Sequence, residues 1–134
     1  MLVLNPKRVS FDGDIWGNVA SVEVNRFGEK IAVEYGDDGP HAVFADVPEQ
    51  KVNVKVVQEL LSDDIDEPVP GVSASLTFET AANSSGAQRK RVAFDAVVTG
   101  VQYSVSVRGG ASRTVWLVAL SSDGVDDPIS VVDL

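Results

Sequence analysis

The chain has 134 residues, 20 Asp+Glu against 11 Lys+Arg, a single His and no Cys, for a formal net charge of −9. Such a length supports one hydrophobic core without covalent staples. The missing cysteines exclude disulfides, thiolate metal sites and a cysteine nucleophile, and the acidic balance argues against gripping nucleic acid through its phosphates.

From the N-terminus, no basic stretch leads into a long apolar segment, so no signal peptide is expected and the reading is a soluble, cytoplasmic chain. The longest apolar run, Val115 to Leu120, is far short of the roughly 20 residues of a membrane-spanning helix, and no membrane partner is expected. Valine sets the fold class: 25 Val against 8 Leu and 4 Ile is an excess of the residue that is stiff at χ1 and suits a pleated surface. Strands are expected at Arg8 to Phe11, Gly17 to Phe27, Lys30 to Gly36 and His41 to Val47. Val52, Val54 and Val56 alternate with Asn53 and Lys55, and Val72, Ala74, Leu76 and Phe78 with Ser73, Ser75 and Thr77, each pattern giving one apolar face.

Val57 to Asp63 is the single weak helical candidate, of one or two turns. Next comes an acidic, proline-containing excursion, Ser62 to Gly71. A second excursion of small residues, Ala81 to Gln88, leads into Arg89, Lys90 and Arg91. Beyond it the apolar set runs Val92, Phe94, Ala96, Val98 and then changes parity to Val101, Tyr103, Val105, Val107. The change predicts a β-bulge or a bend at Val97 to Gly100. Thr114 to Ser121 is apolar on both parities and is expected to be a central strand covered on both sides. Turn signals at Asp12-Gly13, Gly28, Asp38-Gly39-Pro40, Gly86, Gly109-Gly110 and Asp123-Gly124 separate these segments. The expected fold is all-β: about eight strands in an antiparallel β-sandwich or partly closed barrel, with at most one short helix, as a single domain over residues 1–134.

Chemistry-bearing motifs are scarce. His41 stands alone, without the second imidazole or thiolate of a common zinc site and without a Gly-x-Ser-x-Gly nucleophile, so no catalytic residue is assigned. Three carboxylate groups, Asp12 with Asp14, Asp63 to Glu67, and Asp123 with Asp126 and Asp127, offer calcium-binding loops or solvated acidic surface. None has EF-hand spacing, which favours the second reading, and no metal or other cofactor is expected. Arg108 to Arg113 resembles a phosphate loop in its glycines alone and reads as a hairpin turn. Trp16 and Trp116 read as core and rim.

Charge is unevenly spread: residues 37 to 67 carry −7, residues 86 to 113 carry +4, and the last twelve add four acids without a base. Solvated loops of either sign would account for this. So would a subunit that joins head to tail, acidic patch to basic patch, a contact that generates rings or filaments.

The layout resembles the tail tube proteins of tailed bacteriophages, particularly of contractile, Mu-like tails. The resemblance rests on Phe11-Asp12-Gly13 with Trp16, the Ser21 to Val24 strand, the Val52 to Val56 strand before the acidic loop, the Gly71 to Glu79 strand, the small-residue loop ending in Arg89-Lys90-Arg91, and Ala119 to Pro128. It implies a non-enzymatic virion structural protein, assembled in the host cytoplasm. It also implies homohexameric rings that stack into a tube for passage of viral DNA, with tail sheath, tape measure and baseplate proteins as further partners. A tube initiator, hub or terminator of the same fold, or a monomeric β-sandwich binding module, is the alternative. A bore that lets DNA slide should present carboxylates. Glu23, Glu34, Glu79 and Asp95 are the bore candidates, with the outward solvent face as the equal alternative. At the ring and inter-ring interface the candidates are Asn83, Ser84, Ser85, Gly86, Arg89, Lys90 and Arg91, meeting Asp63, Asp64, Asp66 and Glu67 of the adjacent ring.

Overall fold

The computed structural model describes residues 4–60, 68–82 and 89–133. They form eight strands: β1 Leu4–Phe11, β2 Asp14–Ile15, β3 Val19–Tyr35, β4 Ala42–Leu60, β5 Ser73–Ala82, β6 Lys90–Ser106, β7 Gly110–Leu120 and β8 Ser130–Asp133. All neighbours are antiparallel, in the order β2-β1-β5-β6-β7-β4-β3, with β8 added to β6. The sheet curls until β1 touches β3 without closing into a barrel, and its concave side holds the core.

That core is the alternation made solid. Val52, Val54 and Val56 of β4, Leu76 and Phe78 of β5, Val92, Phe94, Ala96 and Val98 of β6, and Val115, Leu117 and Ala119 of β7 are buried together with Val9 and Phe11 of β1. Fully burying a side chain such as Leu76, Leu117 or Val56 contributes about 1.5–3 kcal/mol. The expected parity change lies in β6, where the register against β7 shifts between Val98 and Gly100 and Val101 then packs on the core.

Three expectations are corrected. Val57–Leu60 continue β4 rather than starting a helix, because all four are paired with β7 and Val57 and Gln58 with β3 as well; the rest of that candidate, 61–63, lies outside the described residues. Gly28 does not turn the chain. It sits inside β3 at a register shift, where an added Cβ would lie 2.5 Å from Val47 Cγ1. Finally, β7 is central but covered on one side, since Trp116 and Leu120 are exposed at 36% and 43%.

One end of the core is closed by β1, β2 and the start of β3. The Trp16 ring lies 5.3 Å from that of Phe11, tilted by 46°, and the Arg113 guanidinium lies 4.7 Å above the Trp16 ring. Arg113 also donates to Gln58 Oε1, and Gln58 Nε2 in turn donates to the Gly17 carbonyl. Both ends of the buried Gln58 amide are thereby satisfied.

Candidate functional site

Strands β3 and β4 outlast the core. β4 meets β7 from Asn53 onward, so residues 42–52 have β3 as their sole strand partner among the described residues. Beyond Phe27 and Lys51 the two strands project as an arm closed by the Asp38-Gly39-Pro40 turn. Its length is roughly 20–25 Å at the usual rise per residue. The arm displays Ile31, Val33, Tyr35, Val43 and Phe44, each between 43% and 72% exposed. Among the described residues, no further strand pairs with either outer edge of the arm.

A second feature occupies the convex face of β1, β5 and β6. Glu79 is buried and gathers three guanidiniums: Arg89 Nη2 at 2.9 Å, Arg91 Nη2 at 3.4 Å and Arg8 Nη1 at 3.6 Å. Register explains two of these. Arg91 is directly opposite Glu79 on β6, and Lys7 is opposite it on β1, where the register is irregular and Arg8, with a positive φ, reaches Glu79 from the edge. Burial alone would raise the Glu79 pKa. The hydrogen bonds from Arg91 and Arg89 and the charge of Arg8 outweigh it, holding the carboxyl below the usual range.

The third is a groove of about 320 Å³ where β7 ends and the 121–130 loop crosses β6, lined among others by Ser75, Asp95, Leu120, Asp126, Pro128 and Ser130. The loop is internally braced. Asp123 Oδ1 accepts from the Asp126 and Val125 amides and from Ser121 Oγ, contacts that keep its carboxyl far below the ordinary carboxylate range. Asp127 ties the loop to the base of the arm through Arg26 at 3.0 Å.

Against this geometry the expected site residues divide. Glu23 is exposed opposite Lys55, on the convex face; Asp95 is exposed on the same face of the sheet and accepts from Ser75 Oγ at 2.6 Å; Glu34 is exposed on the arm opposite Phe44. Glu79 does not face solvent, because the three arginines cover it. Arg89 and Arg91 are held by Glu79 of their own chain, and Lys90 by Asp133 at 3.6 Å, rather than standing free. Asn83, Ser84, Ser85, Gly86, Asp63, Asp64, Asp66 and Glu67 lie outside the described residues. Among those described, no three His, Asp or Glu side chains are disposed to hold a metal ion.

Residue patterns missed the arm and the part played by Arg8. Ile31, Val33 and Tyr35 alternate as a core strand would, and the arrival of Arg8 over Glu79 depends on a long-range register. The available signal for the arm was the excess length of the two apolar segments around one strong turn.

No protein-family model matches the chain, and no curated protein matches it.

Proposed function

We propose that this chain is a structural, non-enzymatic subunit of a bacteriophage tail tube, joining copies of itself into hexameric rings that stack around a bore for DNA. The observation that carries the reading is the arm. An isolated two-stranded hairpin is marginal in water, and this one exposes several large apolar side chains along open strand edges. A neighbouring subunit supplies what the arm lacks, by continuing its ladder and covering its apolar residues. The body cannot offer the same along its length, because its sheet curls until β1 meets β3.

The electrostatics agree with a conduit. The net charge of −9 disfavours phosphate binding, and Glu23 and Glu34 stand in solvent as carboxylates that a passing duplex would not grip. Sheath, tape measure and baseplate proteins are the further partners of such a tube. Negative-stain microscopy of the purified protein tests the reading, together with a variant in which residues 31–46 are replaced by an Asn-Gly turn. Rings or tubes of the natural chain, absent from the shortened one, are expected. A natural chain that stays monomeric at high concentration would overturn it.

A further inference from the structure

The hairpin joining β6 to β7 ends in a tip unlike the other turns. Ser106 pairs with Gly110, and three residues, Val107, Arg108 and Gly109, form the loop. The Gly109 amide donates to Ser106 Oγ at 2.7 Å, and Gly110 takes a φ of +72°, so the tip is a built three-residue turn. It presents Val107 fully to solvent, Val105 at 72% exposure and Arg108 without an ion-pair partner among the described residues. Among the described residues, nothing in the fold of one subunit uses these side chains.

At the opposite end of the same two strands is the groove beside the 121–130 loop, where Asp95 pairs with Leu120. Its lining combines apolar Leu120 and Pro128 with the carboxylates of Asp95 and Asp126, and it contains no Lys, Arg or His. Of the nearby acids, Asp127 is already paired with Arg26, whereas Asp95 has a hydroxyl partner and no cation among the described residues. The volume of about 320 Å³ is at the low end of cavities that take ligands. It suits a turn with one aliphatic and one cationic side chain. Along β6 the tip and the groove are separated by up to about 40 Å, so a chain cannot fill its own groove.

We infer that the Val107-Arg108 tip of one copy inserts into the Asp95-Leu120-Asp126 groove of the next, forming the axial, head-to-tail joint between subunits. Val107 covers Leu120 and Pro128, and Arg108 provides the cation that Asp95 and Asp126 lack. Because tip and groove lie on different surfaces, the contact is heterologous and each copy added offers a new site. The joint rests on the self-assembly reading above and supplies its stacking step. Asp95 then faces an axial neighbour, leaving Glu23 and Glu34 as the bore-facing carboxylates.

The chain has no cysteine, which gives a clean test. A Val107→Cys, Leu120→Cys double variant is oxidised mildly and run on a non-reducing gel, with Val107→Cys, Ile15→Cys as a collisional control, since Ile15 is 80% exposed on β2. A disulfide requires Cα atoms within roughly 7 Å, so only a seated tip reacts quickly. The first pair should give a ladder of dimers, trimers and longer species, formed at least ~10-fold faster than in the control. Adding Arg108→Glu should slow it by a similar ~10-fold, and adding Asp95→Arg as well should restore it. A ladder no faster than the control, or one indifferent to Arg108→Glu, would overturn the joint. Rings in the microscope without a ladder would remove this joint alone; a ladder without rings would remove the hexameric reading and leave the joint. Matched unfolding curves of the reduced variants show that all of them fold.

Discussion

The two halves of β4 make an instructive pair. Residues 52–58 alternate buried and half-buried; residues 42–50 are exposed on almost every position, although both halves belong to one continuous strand paired to β3. The difference comes from the second edge. Where β7 joins β4, the strand becomes internal and its valines meet β5 and β6 across the concave side. Where β7 is absent, the same kind of alternation has nothing to pack against. Strand formation is a local property of the backbone and its β-branched residues, whereas burial is conferred by neighbours distant in sequence.

Substitutions that cut into one half at a time sharpen this contrast. The largest effect is expected from Leu117→Ala in the body, about 2–5 kcal/mol of lost stability in urea unfolding, because the cavity cannot be refilled. Phe44→Ala on the arm removes more atoms, yet should change the monomer by no more than about 0.5 kcal/mol; a loss comparable with that of Leu117→Ala would show that the arm packs on its own body. Next comes Glu79→Gln, which leaves three arginines converging on a neutral group. Because the Glu79 carboxyl is held below its ordinary pKa of 4.5, its stabilising effect is present above that value and is lost as the pH falls through the lowered one. The Tm of Glu79→Gln should therefore fall below that of the natural protein at neutral pH, with the gap closing as the pH falls below 4.5 and through the lowered pKa. A constant gap would mean that packing, not charge, holds the site. A small effect is also expected from Arg26→Ala at the root of the arm, about 0–1 kcal/mol, since both members of its pair with Asp127 are half exposed.

The body was largely legible from residue patterns. Val52, Val54, Val56, Leu76, Phe78, Phe94 and Val98 disclosed both the strands and their inward faces, and the parity change near Gly100 disclosed the irregularity in β6. What could not be read was pairing. The exposure of Ile31 and Val43 follows from where β7 ends; the burial of Glu79 follows from an irregularity in β1 that brings Arg8 across; and the groove exists because the 121–130 loop folds back over β6. Alternation gives a strand two faces without saying which has a neighbour, and charge runs along the chain do not say which acids already have a base. The basic triplet illustrates this: Arg89 and Arg91 look like free cations in sequence and are engaged by Glu79 in the fold.

The central position of β6 and β7 also has a mechanical consequence. A load that drew their shared tip away from the opposite end would slide both strands together past β5 and β4. It would strain the eight register pairs of β5 with β6 and the eight of β4 with β7 in shear, all at once. A pull on the Asp38-Gly39-Pro40 turn directed sideways would instead peel β3 from β4 one pair after another. The subunit is therefore stiff along one direction and compliant along another, the anisotropy of a beam carrying a flexible clasp.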